Sequence, residues 1–389
     1  MNLEGRVLID ITRGEKPSVQ VSYSQPGDVT RVLEGKTPAA VLATIPVLFS
    51  LCAKAQSHAA RLALDAAEGR TRAVRERAIL QSLTEMESLR ENTLRIALDW
   101  PRLLGEPADP SSLKALMRLV PDLGAALQAV EASRHEVGIP LFALNAAFGV
   151  ISRAEAHLVA TIFGEPIVDW KARGDVDAVA SWSAARHTVA ARLLDRIRTR
   201  GQSAAGAITL RPLAPLQAAS VRTWLGEASS DMSSGRFPLE DPTPVPETTL
   251  LARHWGDPRL GTMPGSRPGP GLWARLTARL IELSQLPQRM RNLLNGYLEP
   301  SSGLVLGEGC GMSEIAAARG TLVHAASIEN GYITRYRVLS PTRWNFDAGG
   351  VAARTVSRIV AEHGAEAGSL SELMVNAVDP CVAYSVRLN

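Results

Sequence analysis

Three cysteines, Cys52, Cys310 and Cys381, are the residues of this 389-residue chain most able to do chemistry. A thiolate is both a nucleophile and a soft metal ligand, so the question is which of the three meet. Spacing alone does not answer it: three widely separated thiols form neither a disulfide framework nor a local metal knuckle, and they suit a reducing compartment. Cys381 follows Asp379-Pro380, where the proline fixes its own φ and restricts Asp379 to extended backbone. Taken alone, Cys381 reads as a small apolar residue closing a core. Cys52 continues the apolar stripe Val41, Leu42, Ile45, Leu48 and Phe49 and reads the same way. Other chemistries find less support. The seven histidines show no metal-ligand spacing, no G-x-S-x-G elbow exists, and Gly307-Glu308-Gly309-Cys310-Gly311 lacks the strand and helix that flank a phosphate loop.

Composition narrows the class. A hydrophobic content of 46% supports a large core. The net charge of +3 comes from charges interspersed along helical stretches, so neither nucleic acid nor an anionic membrane is an expected partner. The opening Met1-Asn2-Leu3-Glu4-Gly5-Arg6 has no signal-peptide pattern, and no stretch reads as a membrane helix. A cytoplasmic location is expected.

The elements that must position the cysteines come next. Val7-Leu8-Ile9-Asp10-Ile11 and Val19-Gln20-Val21-Ser22-Tyr23 alternate as a hairpin. Residues 57–98 read as long amphipathic helices ended by Asp99-Trp100-Pro101, and 113–197 as several more, broken at Gly138-Ile139-Pro140 and Gly164-Glu165-Pro166. Residues 201–271 collect Pro, Gly, Ser and Thr and read as an irregular excursion. A helix over 272–297 and a glycine-containing loop over 303–320 around Cys310 follow. The hairpin 321–338 turns at Glu329-Asn330-Gly331, because a type I′ turn favours Asn-Gly at its two positive-φ positions. Helices over 350–363 and just before Cys381 complete the chain. The fold class expected is α+β, mainly helical, in one unit divided as 1–56, 57–200, 201–271 and 272–389.

Several of these residues together resemble the large subunit of nickel-iron hydrogenases. The matching positions are Arg319, Gly320, Leu322, His324, Gly331 and Tyr336, then Pro341, Thr342, Trp344 and Asn345, and finally Asp379, Pro380 and Cys381. Glu4-Gly5-Arg6 and Ser50-Leu51-Cys52-Ala53-Lys54-Ala55 resemble the family's two N-terminal motifs. Residues 100–300 align little. The resemblance implies that fold, with β-hairpins at both ends packed on a helical core and Cys52 near Cys381.

Departures from the family pattern matter more than the matches. The family holds nickel and a cyanide- and carbonyl-ligated iron with four thiolates. Here the two bridging positions are Ala55 and Tyr384, the closing histidine is Arg387, and a cleavable tail is not expected after Asn389. Hydrogen turnover and nickel binding are therefore not expected, and the chain is not expected to be an enzyme. Loss of this kind resembles the HupK/HoxV type of hydrogenase accessory protein. It implies a scaffold on which Cys52 and Cys381 hold the Fe(CN)2CO fragment, with Arg319 as a cation beside the cyanide ligands. Partners implied are the maturation proteins that deliver the fragment and the apo large subunit that receives it. A metal-free chaperone that binds hydrogenase subunits or maturation factors is the alternative. Cys310 and Glu4 read as structural and as exposed, respectively.

Overall fold

The computed structural model describes residues 5–12, 14, 17–24, 29–110, 113–132, 141–226, 237, 245–261 and 269–389. Glu4 and the break at 138–140 lie outside them. Helices dominate, with two small sheets, and the α+β class holds.

The first sheet joins both ends of the chain. β1 (Arg6–Thr12) and β2 (Ser18–Ser24) form the expected antiparallel hairpin, with Val7, Ile9 and Ile11 turned into the core by the two-residue period of a strand. On the other side of β1 lies β7 (Ala383–Leu388), a strand missed in the sequence, which pairs in parallel from Arg6↔Ala383 to Ile11↔Leu388. That pairing sets Cys381 beside the N-terminal strands.

The second sheet has the order β3-β4-β5-β6, with β3 (Gly303–Gly307), β4 (Cys310–Ala317), β5 (Gly320–Glu329) and β6 (Tyr332–Leu339), all antiparallel. The β5–β6 turn has Asn330 at φ 51° and Gly331 at φ 82°, as its sequence requires. The 303–320 stretch corrects our expectation of a loop: it is the β3–β4 hairpin. Its glycines reflect close packing, since α2 (Ala53–Ala67) lies directly on it. A Cβ on Gly311 would come within 2.3 Å of the Ala67 backbone nitrogen, and one on Gly303 within 2.2 Å of the Leu62 carbonyl oxygen. Gly311→Ala should therefore push α2 away and cost about 1–3 kcal/mol, read as a lower midpoint in thermal or denaturant unfolding.

The helical body begins with α1 (Pro38–Leu48), capped by Thr37, whose Oγ1 accepts from the Ala40 N–H. α3 (Val74–Leu104) corrects a second expectation. It runs through Pro101 and stops at Gly105, whose φ of 82° suits a left-handed cap. α4 (Leu113–Ala132), α5 (Leu141–Leu158), α6 (Ile167–Lys171), α7 (Val176–Ala185) and α8 (Val189–Thr199) follow, with one π turn at Val159–Phe163. The stretch Leu141–Phe163 is long and apolar enough to cross a membrane by length and composition; here it packs against α4 and α11.

Within 201–271 the described residues include α9 (Ala218–Gly226) and α10 (Leu250–Arg253), where composition suggested only an excursion. Val221, Trp224, Leu225 and Phe237 pack there under the second sheet with Met312 and Trp344. α11 (Leu272–Leu294) is the central helix, buried along most of its length and lying against α3. Its three buried charges, Arg275, Arg279 and Glu282, are all paired, as burial demands. α12 (Pro341–Asn345), α13 (Val351–Glu362) and α14 (Ala367–Val378) lead to Cys381.

Candidate metal centre

Cys52 occupies the corner between α1 and α2. A single 3-10 turn, Ser50–Cys52, redirects the chain by 102°. α2 has no side-chain cap of its own; Glu87 of α3 reaches across and accepts from the N–H groups of Lys54 and Ala55 at 3.0 and 2.9 Å. That carboxylate occupies the positive end of the helix and at the same time faces Cys52.

Cys381 follows α14, and here the structure overturns the extended geometry expected before a proline. Asp379 lies at φ 64°, ψ 85°, one of two non-glycine residues among those described with positive φ. Such backbone persists only where the surroundings impose it. The Asp379 side chain supplies the reason: Arg95 Nη2 lies 2.6 Å from Oδ1, Arg279 Nη2 3.3 Å from Oδ2, and Arg319 Nε 3.4 Å from Oδ1. Although burial works the other way, these arginines hold the Asp379 carboxyl down at about 2. Beyond the proline, Thr342 grips Cys381 twice. Its Oγ1 accepts from the Cys381 N–H at 2.9 Å and donates to the sulfur at 2.9 Å.

The structure brings Cys52, Cys381 and Arg319 together. Burial pushes the Cys52 thiol up to about 12; negative charge on Cys381 is the next cause and Glu87 the third, while Arg319 and an N–H from Gln56 pull down. Each thiol is thus within electrostatic reach of the other, and both keep partial solvent contact. The hydroxyl of Tyr23 on β2 is raised by burial and then by Cys381, which puts it beside the same pair. Arg319 is buried. Desolvation alone would lower it, but Asp379, Glu91 and then the two cysteines keep its guanidinium firmly charged. Part of its donor fork is committed, with Nη2 donating to Glu91 Oε2 at 3.1 Å. Cys310 stands apart, on β4 with its sulfur 3.4 Å from Ser327 Oγ.

At pH 8 a thiol held near 12 is almost wholly protonated. Alkylation of Cys52 by iodoacetamide in the metal-free protein should therefore run on the order of a hundredfold slower than that of free cysteine, by site-resolved mass spectrometry.

Among the described residues no group of three or more His, Cys, Asp and Glu side chains is placed to surround a metal. Two soft thiolates would leave most of a coordination sphere to ligands that the metal brings with it. Of the two positions that depart from the motifs, Ala55 is buried and Tyr384 lies in β7 opposite Val7. Arg95, Arg279, Gln56, Glu87 and Thr342 were not found by sequence reasoning as site residues. For Thr342 a signal existed, since it lies in the Pro341-Thr342 motif; the other four look like ordinary polar positions on amphipathic helices.

No family model matches the chain. Curated proteins do. A hydrogenase expression/formation protein HupK from Azotobacter vinelandii is 29% identical over 97% of this chain and 93% of its own, and HoxV from Cupriavidus necator is 28% identical over 96% and 93%. The chain is a homologue of the HupK/HoxV proteins. Among solved structures, a nickel-iron-selenium hydrogenase from D. vulgaris Hildenborough superposes with a TM-score of 0.59 at 15% identity, covering 94% of this chain and 95% of that one. At that identity the likeness speaks for the fold alone, and the fold is that of the nickel-iron hydrogenase large subunit. The HupK/HoxV resemblance spans nearly the whole chain, including the 100–300 region where motif matching found little.

Proposed function

We propose that this protein acts in hydrogenase maturation as a non-catalytic scaffold, holding the Fe(CN)2CO fragment between Cys52 and Cys381 before it passes to the apo large subunit. Its homologues carry the name hydrogenase expression/formation protein. The observation that carries the finer reading is the pair of half-buried cysteines, contributed by distant parts of the chain and both within electrostatic reach of one charged arginine.

In this reading the thiols release their protons on binding iron, which the high Cys52 value makes unfavourable without metal; the cargo is then held more loosely than by four thiolates. Thr342 donates to one sulfur and Gln56 to the other, and Arg319 offers charge to the cyanide nitrogens. Ala55 and Tyr384 leave nickel without its bridging ligands. The donor would be a maturation protein, the acceptor the apo large subunit, and the compartment the cytoplasm.

The test is infrared and iron analysis of protein isolated without air from cells with intact maturation machinery. Cyanide and carbonyl bands with roughly stoichiometric iron are expected, falling at least tenfold in Cys52→Ala or Cys381→Ala. Absence of bands from the unaltered protein would sink the iron reading.

One observation favours the metal-free chaperone reading as a second. α1 carries no charged residue, and Val47 in its last turn at 77% and Leu51 just past it at 46% exposure present apolar side chains near Cys52. Maturation that survives both cysteine variants but not deletion would favour that reading.

A further inference from the structure

We infer that Gln56, His324 and Tyr336 form a one-way hydrogen-bond chain whose task is to present an amide N–H to the sulfur of Cys52. The purpose rests on the reading of Cys52 as a ligand; the direction of the chain follows from the orientation of the Gln56 amide.

Gln56 lies on α2 one turn beyond Cys52, with Nε2 3.6 Å from the sulfur. Its Oε1 stands 2.8 Å from His324 Nε2. An amide oxygen can only accept, so His324 must carry its hydrogen on Nε2. Nδ1 is then an acceptor, and the group 2.7 Å from it is the hydroxyl of Tyr336, which must donate. The imidazole stays neutral, since burial holds it near 3 and no donor pair is needed. His324 and Tyr336 come from adjacent strands, β5 and β6, and their rings meet edge to face at 5.7 Å. Thr30 adds a support by donating to the Tyr336 carbonyl at 3.0 Å.

Three polar side chains at 3%, 0% and 0% exposure are costly where apolar ones would pack as well. Every hydrogen-bonding step in the series is satisfied, and it ends on the sulfur of the half-buried Cys52. The opposite direction would turn Gln56 Oε1 toward the sulfur, setting a lone pair against a metal-bound thiolate. A donor there, in contrast, steadies the thiolate and orients it, as groups behind a metal ligand do.

Nitrogen-15 NMR of the histidine side chains in metal-free protein decides the direction, with the His324 signal assigned by its loss in His324→Gln. Hydrogen on Nε2 is expected; hydrogen on Nδ1 would overturn the inference. Titration with cadmium ion alone, followed by the sulfur-to-cadmium absorbance, decides the purpose. Gln56→Leu and His324→Phe should each weaken cadmium binding about tenfold, and His324→Gln, which keeps a donor toward Gln56, should stay within about threefold of the parent. Unchanged affinity in Gln56→Leu would also overturn the inference. If the parent protein shows no cadmium-thiolate absorbance, the ligand reading fails by itself, while the NMR result still settles which way the chain runs.

Discussion

Asp379→Asn should destabilise the protein by about 3–5 kcal/mol, the largest effect we expect of a single side-chain change near the site. Asparagine keeps the size of aspartate and tolerates the left-handed backbone found at this position, so the substitution isolates the charge. Three guanidiniums would lose their shared carboxylate. Arg95 retains Asp99 and Arg319 retains Glu91, but Arg279, at 1% exposure, keeps only the carbonyl oxygens of Asn376 and Ala377 as close partners. A buried cation left with carbonyls alone accounts for most of the loss. Because Asp379 is held near 2 when folded, its stabilisation is present above the ordinary carboxyl range and is lost as pH falls toward 2. Urea unfolding at pH 7.5 measures the difference. A loss below about 1 kcal/mol would mean that the arginines are satisfied elsewhere.

Acid should weaken the fold well before that carboxylate titrates. His324 and His58 are both buried and neutral, with folded values near 3 and near 4 set by burial. Each gains a proton in the unfolded chain near its ordinary value of about 6.5, so folding opposes protonation and stability declines as pH drops below that point. At pH 5 the expected loss is about 2 kcal/mol per histidine, saturating only near the folded values. Glu85 and Glu87 act with the opposite sign, since burial raises both and favours the protonated folded form as pH falls. The histidine contribution is therefore best read by difference. In His58→Gln and His324→Gln the loss of stability between pH 7 and pH 5 should shrink by about 2 kcal/mol each, measured by denaturant unfolding at both pH values. An unaltered pH dependence in the variants would assign the acid sensitivity to other groups.

Much of the architecture was legible because local and tertiary demands agree. Asn330-Gly331 tolerates the positive φ that a tight hairpin turn requires, and the helices 272–294 and 351–362 carry apolar faces that any core would bury. Where the reading failed, a distant partner set the local choice. Gly303 and Gly311 looked like loop residues, yet they are glycine because α2 lies against the strands. Asp379 looked extended because proline follows, yet three arginines from α3, α11 and β4–β5 outweigh that preference. Of the candidate site, Cys52, Cys381 and Arg319 were legible as residues. Their supporting groups were not, since Arg95, Arg279, Glu87 and Gln56 acquire meaning only from the elements they face. The strand 383–388 was overlooked although Tyr384, Val386 and Leu388 alternate, because its pairing partner lies at the other end of the chain.

That pairing has a consequence for the order in which the molecule is made. Residues 6–11 leave the ribosome long before 383–388 exist, and the central strand waits through the synthesis of nearly everything else with one edge unfilled. Closing so long a loop is slow, so this contact belongs among the last to form. A chain interrupted before residue 383 lacks the strand that ties the Cys381 segment to the N-terminal sheet, leaving Thr342 and the Asp379 ion pairs as its anchors. On the scaffold reading proposed above, a chain stalled before that strand would hold its cargo less firmly than a finished one.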